Sequence, residues 1–260
     1  MKKITLTIVL LFIFAASENS YAGYVGNPAR IFKSGSEKKV YTIYVEEITD
    51  IVYDRAAKHQ VDEMEVVFFG GAAGLIYNNW FNLYGGVGTA KVKEVYTPFD
   101  TRVEWESEYG FTWLTGGTFK LFDKKLDNFY NSNFLASLDI QYRNTGFDTK
   151  LITIDNAQYS IPDPAISHSS IEYNDWHAAC AFGLDFGVFS PYSGIKYSDF
   201  ESCVRAARND IVFQKDNAEA DNNFGLFLGT GVRLLDSLNI NMEAGFIDEN
   251  YLSGSLSYKF

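Results

Sequence analysis

Cysteine is nearly missing from this 260-residue chain, with only Cys180 and Cys203 present. Two thiols argue against a scaffold built from disulfides. Histidine is scarce too, at three (His59, His168 and His177). Neither Gly-x-Ser-x-Gly nor His-Glu-x-x-His occurs, so the sequence reads as no enzyme. Cys and His do not cluster at ligand spacing, and no metal or other cofactor is expected. Lys and Arg number 22 against 33 Asp and Glu, a net charge of −11, which disfavours nucleic acid as a partner. Beyond the N-terminus there is no apolar run of 18 residues, which excludes helical membrane spans. Proline (5) and methionine (3) are also rare.

What is abundant is aromatic residues and glycine: 22 Phe, 17 Tyr and 21 Gly. The first 22 residues read as a cleaved signal peptide. Lys2 and Lys3 precede an apolar core, and Ser20-Tyr21-Ala22 offers a small-x-small cleavage site. Residues 23–39, without periodicity, read as a periplasmic lead. From residue 40 to the end the chain alternates. In its tail Leu252, Leu256, Tyr258 and Phe260 take one face of a strand and Ser253, Ser255, Ser257 and Lys259 the other. About ten such segments follow one another, several of them long enough to cross a bilayer at a tilt, which takes about 9–11 residues. Their links alternate between short ones, such as Asn78-Asn79-Trp80 and Phe189-Ser190-Pro191, and long polar ones at 148–170 and 199–223. Short periplasmic turns opposite long external loops characterise outer-membrane barrels. The fold expected is therefore all-β: an antiparallel transmembrane β-barrel of about ten strands in the outer membrane, behind a signal peptide.

Alternation also assigns faces. The set expected to line a pore is Lys91, Lys93, Glu106, Glu108, Lys120, Asp139, Arg143, His177, Asp185, Lys196, Arg233 and Glu243. The set expected in the membrane girdle is Trp105, Trp113, Trp176, Tyr258 and Phe260, with Trp80 near a strand end. His177 lies beside acids in the inward register, where a His–Asp pair is chemically able to act as acid and base, but a lumen-lining role fits it better. Pairing about Ser190-Pro191 puts Cys180 opposite roughly residue 200, out of register with Cys203, so two free thiols are expected.

Several segments resemble a known family. Val25-Gly26-Asn27-Pro28-Ala29, Ile51-Val52-Tyr53-Asp54-Arg55 and Ser170-Ile171-Glu172-Tyr173-Asn174-Asp175-Trp176 are similar to stretches of the chlamydial-type major outer membrane protein. So are Phe189-Ser190-Pro191-Tyr192-Ser193-Gly194-Ile195-Lys196, Leu234-Leu235-Asp236-Ser237-Leu238-Asn239 and Gly245-Phe246-Ile247-Asp248-Glu249-Asn250, followed by the Tyr258-Lys259-Phe260 end. The resemblance implies a porin for ions and small hydrophilic solutes, often trimeric, with surface-exposed loops. The chain is shorter than that family and lacks its many cysteines. The function expected is a porin-like channel. The alternative is a closed structural or adhesive barrel acting through its external loops. The partners expected are outer-membrane lipid, the barrel-assembly machinery through the C-terminal strand, and two further copies in a homotrimer.

Overall fold

The structure is a computed structural model that describes residues 38–49, 53–54, 61–97, 101–127, 132–161, 168–208, 211–220, 223–247 and 250–259. The expected signal peptide, nearly all of the lead, His59 and Phe260 lie outside these residues. Strands make up the order β1 (Lys38–Thr49), β2 (Tyr53–Asp54), β3 (Val61–Tyr77), β4 (Phe81–Tyr96), β5 (Val103–Ser107), β6 (Gly110–Leu126) and β7 (Ser132–Ile154). They continue with β8 (Ala157–Ser160), β9 (His168–Asp185), β10 (Phe189–Arg208), β11 (Ile211–Ala220), β12 (Phe224–Leu235), β13 (Leu238–Phe246) and β14 (Asn250–Lys259).

Ten of these strands form a closed antiparallel ring in the order β1, β3, β4, β6, β7, β9, β10, β12, β13, β14. Ladder pairs from Val40↔Lys259 to Thr49↔Asn250 join the last strand to the first. Closure satisfies the backbone groups of every stave, which lipid on the outside demands. The outward face is apolar: Leu75, Leu83, Val87, Ile140, Phe182, Ile195, Leu226, Leu228 and Met242 are all exposed. Along β9 this belt runs from Trp176 to Phe186 just past the strand end. Ten steps at about 3.3 Å, tilted about 40°, span about 25 Å, the height of an outer-membrane apolar band. The protein is an outer-membrane β-barrel.

The short links sit at one end of the barrel and the long ones at the other. Asn78 and Asn79 both take positive φ (48° and 57°), and Trp80 N donates to Tyr77 O at 3.2 Å. Such a turn matches strand twist, and asparagine tolerates its left-handed backbone. The expected long loops are largely strand instead. β7 runs on to Ile154 and turns back into β8 through Asp155 and Asn156, both at positive φ, while β10 runs to Arg208 and returns as β11. Polar composition hid them because these extensions stand above the membrane, where the outer face meets water.

Above the belt the wall changes membership. β5 replaces β6 between β4 and β7, and β11 replaces β12 beside β10 and pairs with β2, which lies against β3. The upper tier is thus built from a different set of strands than the ring of ten below it. At the β5–β6 break the register against β7 shifts between Glu106 and Ser107. Val103, Trp105 and Ser107 are buried on one side of the break and Thr112, Leu114 and Thr118 on the other. One extra residue has exchanged the two faces.

Inward glycines receive rings from the neighbouring strand. A Cβ on Gly116 would meet the Tyr84 phenol oxygen at 2.4 Å, one on Gly229 the Tyr192 ring at 2.4 Å, and one on Gly245 the Tyr251 ring at 1.8 Å. In each case glycine and tyrosine are direct ladder partners, so each ring lies flat on the wall over its glycine. Gly245→Ala is therefore expected to destabilise the barrel by about 1–3 kcal/mol. Gly254→Ala, whose Cβ meets nothing within 4 Å, is expected to be near neutral. Urea titration of the folded band on unheated gels compares the two.

Candidate functional site

The lumen divides into an apolar upper part and a polar lower part. Met64, Val66 and Phe68 of β3, Val92 of β4, Trp105 of β5, Phe147 and Ile152 of β7, Ile171 and Tyr173 of β9, and Phe200 of β10 form the apolar cluster. Below it stand the side chains that alternation placed inside. Asp139, Arg143, His177, Asp185, Lys196 and Glu243 all face inward, and each is at most 3% exposed. Lys120 and Arg233 also face inward, half-buried, at the periplasmic mouth, where Lys120 Nζ lies 3.3 Å from Asp123 Oδ2.

Asp139 organises the polar half. Its Oδ1 accepts from Thr118 Oγ1 at 2.7 Å and its Oδ2 from the Tyr84 phenol at 2.9 Å, with His177 Nε2 at 3.3 Å from Oδ2. A buried carboxylate is stable only when its lone pairs are engaged in this way. Two strands round the wall, on β10, Lys196 Nζ sits over the Tyr251 ring of β14 at 4.4 Å, and the Tyr251 hydroxyl donates to Glu243 Oε1 at 3.1 Å. Asn241 Nδ2 donates to Ser255 Oγ at 3.2 Å.

The two halves meet at Arg143. Its Nε is 3.1 Å from Asp175 Oδ2, and its guanidinium lies over the Phe68 ring, 3.9 Å from the centroid. Phe68 in turn meets Tyr173, with ring centroids 6.1 Å apart. Phe68 belongs to β3 and Tyr173 to β9, four staves away and nearly opposite in a ring of ten. These side chains touch across the lumen, and the inward charges next to them are buried among their neighbours.

Five expected positions are corrected. Lys91, Lys93 and Glu106 point outward above the belt, where Lys91 Nζ reaches Glu106 Oε1 at 2.5 Å and Lys93 Nζ reaches Glu104 Oε1 at 3.2 Å. Glu108 lies exposed at the β5–β6 break. Trp105, expected in the girdle, is only 4% exposed and belongs to the apolar cluster inside. The strand breaks after Ser107, so one uninterrupted alternation could not serve both β5 and β6. In β4 the apolar Ala90 and Val92 likewise face the upper lumen. The hydrogen bond from Lys91 holds the Glu106 carboxyl below its ordinary range. That depressed pKa makes the pair's small contribution fully present above the usual carboxylate range and lost as pH falls from there through the lowered value.

The girdle itself is present. Trp113, Trp176 and Tyr258 face outward and exposed. Trp113 contacts Tyr142, and Trp176 contacts Tyr197, which contacts Phe224, with centroids 5.5, 5.3 and 5.1 Å apart. Trp113 Nε1 donates to Asn144 Oδ1 at 3.0 Å and the Tyr142 hydroxyl to Asn174 Oδ1 at 3.1 Å, so the rings' polar ends turn towards the extracellular side. Trp80, Phe81 and Phe119 cluster at the opposite rim. Both cysteines are free thiols. Cys180 faces Ile195 across the ladder and Cys203 faces Glu172, eight positions further along β9.

Tyr84, Phe68, Tyr173, Asp175 and Tyr251 were not singled out from the sequence. A signal for Tyr84 and Tyr251 existed, because each pairs with a glycine, but reading it requires the register between strands. Among the described residues no three His, Cys, Asp or Glu are placed to hold a metal ion.

No protein-family model matches the sequence, and no curated protein does. Solved structures with a similar fold include the outer membrane protease OmpT from Escherichia coli, at 8% identity and a TM-score of 0.49, covering 87% of this chain and 98% of that one. The translocator domain of the autotransporter NalP from Neisseria meningitidis is similar at 8% identity, TM-score 0.43, covering 89% and 91%. The Pseudomonas putida toluene transporter TodX is similar at 8% identity, TM-score 0.29, covering 92% and 94%. The protease corrects the reading of this chain as no enzyme. A motif search addresses only active sites written into one stretch of chain, whereas a barrel can assemble one from residues of different strands.

Asp139→Ala leaves His177, Tyr84 and Thr118 without their shared acceptor and is expected to cost about 3–5 kcal/mol. His177→Gln, which leaves the Thr118 and Tyr84 bonds to Asp139 in place, is expected to cost about 1 kcal/mol. Urea unfolding in detergent micelles ranks them, and equal losses would contradict the central place given to Asp139.

Proposed function

We propose that this protein is a closed outer-membrane barrel that works at the cell surface through its tall extracellular wall. One observation carries the reading: Phe68, Arg143 and Tyr173 meet across the lumen from strands nearly opposite each other. Water and ions need a continuous wet path, and here the path is filled by an apolar cluster resting on paired charges. Ten strands enclose only slightly more space than the eight that side chains fill, and open porins use about 16–18. The segments that resemble a porin family are the ground for a channel, and conduction would require the Phe68–Arg143 contact to move aside.

A closed barrel still has work to do outside. β7, β9 and β10 carry 23, 18 and 20 residues, far beyond the 9 of β13, so one side of the wall rises well above the membrane. That asymmetric wall presents a rigid sheet surface to the environment, and sites on strands hold their geometry better than sites on loops.

The test is current across a planar bilayer. The wild-type barrel is expected to give no discrete steps, and Phe68→Ala combined with Arg143→Ala is expected to open a leak. Salt-dependent steps from the wild type would overturn the proposal.

A further inference from the structure

The outer wall just above the girdle holds a cavity of about 340 Å³ where β6, β7 and β9 meet. Its floor is Gly146, on which an added Cβ would meet nothing within 4 Å. Gly110 lies so close to Gly146 that a Cβ there would clash with the Gly146 carbonyl, so the two glycines let the strands close beneath the cavity. Tyr109 and Phe111, residues 69% and 63% exposed, form one wall. Glu108, Asp148, Ser170 and Glu172 supply the polar rim. Glu172 is held by Arg205, whose Nη1 and Nη2 donate to its two oxygens at 3.0 and 2.9 Å. The side chains of Phe147 and Ile171 turn inward at the same level, so the cavity belongs to the outer face.

The chemistry of the rim restricts what fits. Carboxylates only accept hydrogen bonds, so the site is rich in acceptors and the ligand must supply donors. The acids repel anions. Arg205 cancels one of the three charges, which lessens the pull on a cation. The volume falls in the range of small-molecule sites, about 300–1,000 Å³, and a lone ammonium group would leave most of it wet. Exposed aromatic faces want a flat, partly apolar surface against them. A sugar ring meets all these conditions, with hydroxyl donors round its edge and C–H groups on its face.

The geometry points to a saccharide-binding site at this cavity, with Tyr109 and Phe111 as the stacking wall and Glu108, Asp148 and Glu172 as hydroxyl acceptors. This rests on the surface-barrel reading and gives it a ligand class. The sugar has two possible sources, a free extracellular glycan or the head of an outer-leaflet glycolipid, and the cavity's height just above Trp113 and Trp176 allows either.

The test is saturation-transfer NMR on the protein in nanodiscs, with lactose and di-N-acetylchitobiose as probes and spermidine as the cationic competitor. Saturable binding is expected for a disaccharide, strongest at the C–H protons of one face. Phe111→Ala is expected to weaken it about tenfold. Gly146→Val raises the floor at a position where a Cβ meets nothing within 4 Å, and is expected to abolish binding while the barrel still migrates as folded on unheated gels. Lipopolysaccharide incorporated in the nanodisc competes if the sugar is lipid-borne and does not if it is free, and either result upholds the saccharide class. No saturable binding, binding unchanged in Gly146→Val, or displacement by spermidine with no sugar bound would each overturn the proposal. Sugar binding by a barrel that also conducts would retain the site and overturn the closed-barrel reading alone.

Discussion

The interior space of a ten-stranded ring is the constraint on which the rest of this structure depends. Hydrogen bonding closes the wall, and closure fixes the lumen at a width that large side chains from opposite strands can bridge. Everything placed inside must therefore fit a confined volume and satisfy its own polar groups. The lower lumen does so with a network centred on Asp139, and the upper lumen avoids the problem by being apolar, as in a soluble core. Arg143 joins the two, because a guanidinium can pair its charge with Asp175 and still lay its face on Phe68.

Glycine and tyrosine divide this space between them. A tyrosine standing upright from the wall would block its neighbours, whereas a glycine on the adjacent strand lets the ring lie down. Tyr84 over Gly116, Tyr192 over Gly229 and Tyr251 over Gly245 repeat the device on three pairs of strands. Laid flat, two of these phenols also bring their hydroxyls to Asp139 and Glu243. At these three places glycine and tyrosine are thus one feature, expressed on partner strands.

Strand number, barrel class and the facing of β7, β9, β12, β13 and β14 were legible in the sequence, because in the membrane zone the outward positions meet lipid and most of the charged and amide side chains turn inward. The alternation then has only one meaning. Above the membrane that meaning is lost. Trp105 and Lys91 obey a period of two as well as Trp176 and Asp139 do, but there the inside is apolar and the outside is wet, so the same pattern reads backwards. The β5–β6 break compounds this by exchanging faces within what looks like one strand. Contacts such as Phe68 to Tyr173 were beyond reach for a different reason: they depend on which strands lie opposite each other, and that is a property of the closed ring.

The packing of side chains inside the ring also bears on where binding chemistry can occur. A polar group locked inside is spent on holding the wall, since moving Asp139 or Arg143 would strand its partners in a confined space with little room for water. The outer wall above the belt carries no such duty. There Lys91 and Glu106, or Glu172 and Arg205, are paired at the surface, where rearrangement costs little. The β5–β6 break, Gly110 and Gly146 interrupt the smooth sheet at this level and create a concavity that an unbroken wall would lack. The residue offset that moves Trp105 to the inside also leaves Tyr109 and Phe111 exposed on the outside, so a single irregularity both completes the upper core and shapes this cavity on the outer face.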